Sequence, residues 1–166
     1  GDWSSDVCSS DLNTPEFGLG SNTFNPVYGK TKNPYDLTRT CGGSSGGAAV
    51  ALATRMLSIS DGSDMMGSLR NPAAWNNVYG LRPTWGLVPP EPSGEIFLSQ
   101  LSTLGPMARS PKDLALLLDV QANHFDNKSH VSQSKSFSNF TAQPRMKGIK
   151  IGWLGDWGGT LTFEDE

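Results

Sequence analysis

Two serine-centred clusters hold the residue types from which a covalent hydrolase is built: "GGSSGG" at residues 42–47 and "GSDMMGSLRNPA" at residues 62–73. A serine hydroxyl is a weak nucleophile at neutral pH. It needs a base within hydrogen-bond reach, and a second hydroxyl can relay its proton to a lysine kept neutral by its surroundings. Glycines beside such a serine let backbone N–H groups converge on the developing oxyanion, an effect worth about 3 kcal/mol per donor. Taken alone, "GGSSGG" reads first as a glycine-rich turn ahead of a helix. It is not a phosphate loop, because no Lys follows the glycines in the G-x-x-x-x-G-K-[ST] pattern, and neither cluster forms a G-x-S-x-G nucleophile elbow. Cys41 has no His nearby in sequence to activate it and reads as a buried, inert thiol. His124 and His130 sit in or beside a polar stretch and read as solvated.

The elements that must position these clusters follow from the local patterns. Residues 12–39 are turn-rich, with "TPEFG", "NPVYG" and "NPYD" each setting Pro or Gly beside Asn or an aromatic, so little regular structure is expected there. Residues 42–47 form a flexible turn, and the apolar, small-residue run at 48–57 a buried helix that starts near Ser45. The polar stretch beyond it is mostly loop, with brief strands at 57–59 and 80–82. In "SPKDLALLLDVQAN", Ser110 is the N-cap, Pro111 takes the first helical position and Asp113 completes a capping-box-like pattern. That helix docks by Leu114, Leu117 and Leu118. Residues 128–141 form a surface loop or linker, and Ile149, Ile151 and Trp153 alternate as a strand. Helix, loop and strand together describe an α/β fold.

Composition narrows the class. With 19 Gly and 11 Pro in 166 residues and only 17% charged residues, the chain is a loop-rich globular protein rather than a helical bundle or a disordered tail. A net charge of -3 gives no basic footprint for nucleic acid or an anionic membrane. Neither a signal-peptide pattern nor an apolar run of about 18 residues is present, so the chain reads as cytoplasmic. Cys8 and Cys41 read as two reduced thiols.

Ser44 and Ser68 lie 24 residues apart, and the blocks "NTPEFGLGSNTFNPVYG", "NPYDLTRTCGGSSGGAAVALA", "DGSDMMGSLRNPAAWNNVYGLRPTWGLVP", "GPMARSPKDLALLLD" and "IKIGWLGDWGG" follow in order. In these the chain resembles the amidase signature family over nearly everything after Leu12. The resemblance implies a Ser, cis-Ser, Lys hydrolase of carboxamides. Ser68 is then the nucleophile, Ser44 the bridging serine held by a cis peptide, and the backbone N–H groups of Met65, Met66, Gly67 and Ser68 the oxyanion hole. It further implies a partial amidase-signature fold, a mixed sheet flanked by helices and incomplete at both ends. This is a single domain over residues 13–166, with 123–146 a surface loop or linker within it. No metal or organic cofactor is implied; the partner is a small-molecule amide, and a homodimer is left open. Ser45 either supports the relay or caps the following helix. Asp64 and Arg70 read as an ion pair shaping the nucleophile's loop, the alternative being two separate surface charges.

The sequence departs from the family pattern in two places. Met66 stands where the family commonly has Gly, which leaves the N–H available if its φ is negative and alters the acyl pocket. The family's catalytic Lys lies farther upstream than the 43 residues before Ser44 allow, and Lys30 and Lys32 do not match its motif. The chain therefore reads as a central fragment, inactive alone and marginally stable, because a parallel sheet would lack strands on both sides. "MMGSLRNPAAWNNVYGLRPTWG" is closer to general amidases than to the alternative, the glutaminase subunit of a transfer-RNA-dependent amidotransferase. A non-catalytic scaffold is a third reading. The Met pair and five Trp suggest an apolar or aromatic acyl group. The opening "DWSSDVCSSDL" resembles the in-frame translation of a short-read sequencing adapter, so residues 1–12 are expected to be a disordered artefact. Without them, thirteen acidic residues balance thirteen basic ones.

Overall fold

The computed structural model describes residues 12–89, 101–123, 136–139, 148–150, 152 and 158. Cys8, both histidines, Ile151 and Trp153 of the expected strand, and most of the 123–146 segment lie outside the described residues.

A short hairpin opens the fold, β1 (Phe24–Asn25) pairing antiparallel with β2 (Gly29–Lys30). Its turn is held by the Asn25 carboxamide oxygen, which accepts the N–H groups of Val27 and Tyr28 at 3.0 and 2.8 Å. Helix α1 (Gly46–Ala53) is built from small residues and is therefore buried on most sides, with Ala48, Ala49, Ala51 and Leu52 all in the interior. It begins and ends earlier than the expected 48–57. Thr54 caps it, and Arg55 leaves the helix in a left-handed conformation at φ 63°. The preceding residues 42–47 are buried throughout, not a flexible turn.

Strand β3 (Ile59–Asp64), helix α2 (Arg70–Trp75), strand β4 (Tyr79–Gly80) and strand β5 (Thr103–Ala108) follow. The sheet order is β3-β5-β4 with both pairings antiparallel, Asp64 opposite Thr103 and Gly80 opposite Met107. The expected parallel pairing is thus corrected among the described residues. β3 and β4 run the same way on either side of α2, but β5 inserts between them in the opposite sense. Ala48, Ala49 and Leu52 of α1 meet Leu69, Ala73 and Met107 in the main core.

Helix α3 (Pro111–Asn123) starts as its sequence dictates. Ser110 Oγ accepts the Asp113 N–H at 3.1 Å and donates to the Asp113 carboxylate at 2.7 Å. Leu118 and Ala122 bury against Leu87 and Val88, while Leu114 and Leu117 are only partly covered. The Asp119 carboxylate accepts the N–H groups of Phe137 and Ser138 at 2.6 and 2.9 Å and so docks residues 136–139 on this helix. Among the described residues no helix is long and apolar enough to cross a membrane, and no His, Cys, Asp and Glu cluster could hold a metal ion.

The packing around α1 sets a stability test. A Cβ on Gly46 would lie 2.2 Å from Thr23 Oγ1 and 2.6 Å from Cys41 Sγ, whereas one on Gly152 would meet nothing within 4 Å. In urea denaturation, Gly46→Ala is expected to destabilise by about 2 kcal/mol or more, and Gly152→Ala to stay within about 0.5 kcal/mol of the parent. Equal effects at the two sites would contradict the packing.

Candidate active site

The glycine loop that carries Ser44 is enclosed by four other segments. A Cβ on Gly43 would lie 2.8 Å from the backbone N of Asn22, and one on Gly47 would lie 2.4 Å from the Asn13 carbonyl oxygen. Gly47 also donates its N–H to that carbonyl at 3.2 Å. On the far side, the Asn76 amide donates at 2.7 Å to the Cys41 carbonyl. Cys41 is fully buried, and burial pushes its thiol pKa up, which fits an inert side chain. The peptide bond between Gly43 and Ser44 is cis.

The loop is joined directly to the one carrying Ser68. The Ser45 N–H donates to the Ser68 carbonyl at 3.0 Å, and Ser45 Oγ accepts the Ser63 N–H at 3.2 Å. Ser45 occupies the N-cap position of α1 without capping it through its side chain. Its hydroxyl stitches α1 to β3 instead. Ser44, Ser63, Met65, Met66, Gly67, Ser68 and Asn71 line one cleft with residues 17–21 and Ser102, with a cavity volume of about 370 Å³. Ser44 is 4% exposed and Ser68 is intermediate. Lys30 and Lys32 are exposed, and among the described residues no lysine lines the cleft.

Asp64 fixes the turn before Ser68. Its fully buried carboxylate is held by both Arg70 guanidinium contacts at 2.9 and 3.1 Å, the Arg70 N–H at 3.2 Å and the Gly67 N–H at 2.8 Å. Gly67 has φ 111°, and a Cβ there would lie 2.8 Å from the Asn71 amide nitrogen. This corrects the expected oxyanion hole: a buried carboxylate needs donors, and Asp64 takes the Gly67 N–H. The N–H groups of Met65, Met66 and Ser68 have no acceptor among the described residues. Met66 is 79% exposed at the mouth.

Sequence reasoning missed three residues of this assembly. Thr23 is buried against the glycine loop. Asn76 holds the start of that loop, as described above. Arg82 donates to the Asp64 carbonyl at 3.2 Å and to the Leu101 carbonyl at 2.7 Å. None sits in a recognisable motif; only their placement beside turn residues in "SNTFNP", "WNNVYG" and "GLRP" marks them.

Comparison with known proteins gives a consistent picture. The amidase family model matches residues 7–163, beginning inside the opening Ser/Asp stretch. The chain is 43% identical over 141 residues to the amidase-family subunit of the glutamyl-tRNA(Gln) amidotransferase of Deinococcus deserti, covering 84% of this chain and 28% of that protein. It superposes on a 6-aminohexanoate cyclic dimer hydrolase complexed with substrate, with a TM-score of 0.70 at 35% identity, over 76% of this chain and 27% of the other. A bacterial aryl acylamidase of the amidase signature family gives a TM-score of 0.68 at 35% identity, over 76% and 26%. The chain thus spans under a third of the length of these relatives.

Asp64 carries a pH signature. Burial alone raises its pKa, but the Arg70 side chain and the Gly67 and Arg70 N–H groups outweigh it and hold the carboxyl at about 2, below the ordinary 3.8. A depressed folded pKa means that the stabilisation is complete above about pH 4 and is lost as the pH falls through about 2. It amounts to on the order of 2 kcal/mol. Urea unfolding between pH 2 and 5 is expected to show this slope, and Asp64→Asn to flatten it; identical slopes would contradict the assignment.

Proposed function

We propose, from the premise that this chain belongs to the amidase family, that the protein hydrolyses a carboxamide C–N bond through an acyl-enzyme on Ser68. The observation that carries this reading is the shared cleft, in which Ser44, next to the cis peptide, and Ser68 both line one cavity beside unpaired N–H groups. Ser68 Oγ attacks the carbonyl carbon, and its proton passes through Ser44 Oγ toward a base. Charge develops on the carbonyl oxygen, where the N–H groups of Met65, Met66 and Ser68 are free to donate. The C–N bond breaks as the proton returns to the leaving nitrogen, and water then hydrolyses the ester.

The base is the missing part. No lysine among the described residues lines the cleft, so the 166-residue chain alone is expected to turn over no simple amide at a measurable rate. Robust hydrolysis by it would contradict the relay. In the full-length product of the reading frame that carries this chain, Ser68→Ala is expected to lower kcat at least about a thousandfold. Phe17, Leu19, Met65 and Met66 are exposed apolar residues on the cleft, which supports an aryl or long aliphatic amide over acetamide. A substrate panel without that preference would remove the specificity part.

A second reading has its own support in the 43% identity to the amidotransferase protein. There the same chemistry would release ammonia from glutamine for a partner complex, and transfer RNA would join the assembly, against the charge-based expectation of no nucleic acid. Glutaminase activity that rises only with an acceptor complex would select this reading.

A further inference from the structure

One buried hydroxyl holds the glycine loop in its working shape. Thr23 is 2% exposed, and its Oγ1 directs its proton to the Gly42 carbonyl at 2.8 Å, with the Ser44 carbonyl as a second acceptor at 3.3 Å. The same oxygen accepts the Gly46 N–H at 3.1 Å. A single side chain therefore contacts backbone groups before, at and after Ser44, using its one donor and an acceptor site. The hairpin keeps it in place: Thr23 immediately precedes β1, and its carbonyl accepts the Thr31 N–H from just beyond β2 at 3.0 Å. Asn13 braces the same ends, donating to the Gly29 carbonyl at 3.2 Å and to Thr31 Oγ1 at 2.8 Å. Gly46 cannot carry a side chain because Thr23 Oγ1 fills that space.

We propose that Thr23 is a positioning residue for the proton relay: its hydroxyl fixes the backbone on both sides of Ser44, and with it the direction of Ser44 Oγ toward Ser68. Thr23 does not touch the reacting atoms and changes no bond. The proposal rests on the reading of Ser44 as the relay.

The test uses the full-length protein and an activated ester, so that residual rates remain measurable. Thr23→Val keeps the shape and removes the hydroxyl; it is expected to lower kcat about 10- to 100-fold with KM within about threefold. Thr23→Ser keeps the hydroxyl and is expected to hold kcat within about threefold. In a Ser44→Ala background, Thr23→Val is expected to have no further effect, because the group it positions is gone. The proposal is overturned by Thr23→Val with kcat within threefold of the parent, by Thr23→Ser falling as far as Thr23→Val, or by an undiminished Thr23→Val effect in the Ser44→Ala background. Should Thr23→Val not fold, Thr23→Ala is read by the same criteria. A Ser44→Ala variant with unchanged kcat would sink the relay reading itself, an outcome distinct from failure at Thr23.

Discussion

At Gly43, Gly46 and Gly47 the glycine loop meets Asn22, Thr23 and Asn13 at distances that leave no room for a Cβ. The rest of the structure depends on this close approach. It lets the hairpin segment, α1 and the Ser68 turn converge on one point, where only small residues can lie between them. Buried backbone requires hydrogen-bond partners, and these come from Thr23, Asn76 and Ser63. The loop is therefore not the mobile feature that its composition suggests. It is a packed element whose missing side chains are replaced by the neighbouring chain.

The second anchor is electrostatic. Asp64 ends β3 and is fully buried, so its charge is tolerable only because Arg70 and two N–H groups surround it. The bonds reach from the end of a strand to the start of α2, and Ser68 lies between. Fixing both ends of that short turn leaves its outer N–H groups facing the cleft. The same arrangement takes the Gly67 N–H away from any substrate. Position in the turn, rather than proximity to the serine, decides which amides can serve an oxyanion.

The parts legible in the sequence were those with local causes. The capping of α3 followed from Ser110, Pro111 and Asp113, and the serine clusters from their spacing. β3 was misplaced because its inward positions are Ser60, Gly62 and Asp64, which carry no apolar alternation. These suit a strand packed under a helix made of glycine and alanine, where a larger residue at Gly62 would strike Ser45 Oγ. β5 was missed because Pro106 argues against a central strand; here the Pro106 carbonyl still accepts the Leu81 N–H at 3.1 Å. Thr23, Asn76 and Arg82 act over separations of about 18 to 35 residues in the chain, and no local pattern encodes such contacts.

The central claim is that acyl transfer passes through Ser68. Trypsin separates the two serine clusters, because Arg39, Arg55 and Arg70 place Ser44 and Ser45 on one peptide, residues 40–55, and Ser68 on the next, residues 56–70. Acid-quenching the full-length protein during turnover of a slow aryl ester, followed by peptide mass spectrometry, reads the site directly. The account predicts the acyl mass on residues 56–70, localised to Ser68 by fragmentation. The acyl mass on residues 40–55, or on Ser58, Ser60 or Ser63, would contradict it.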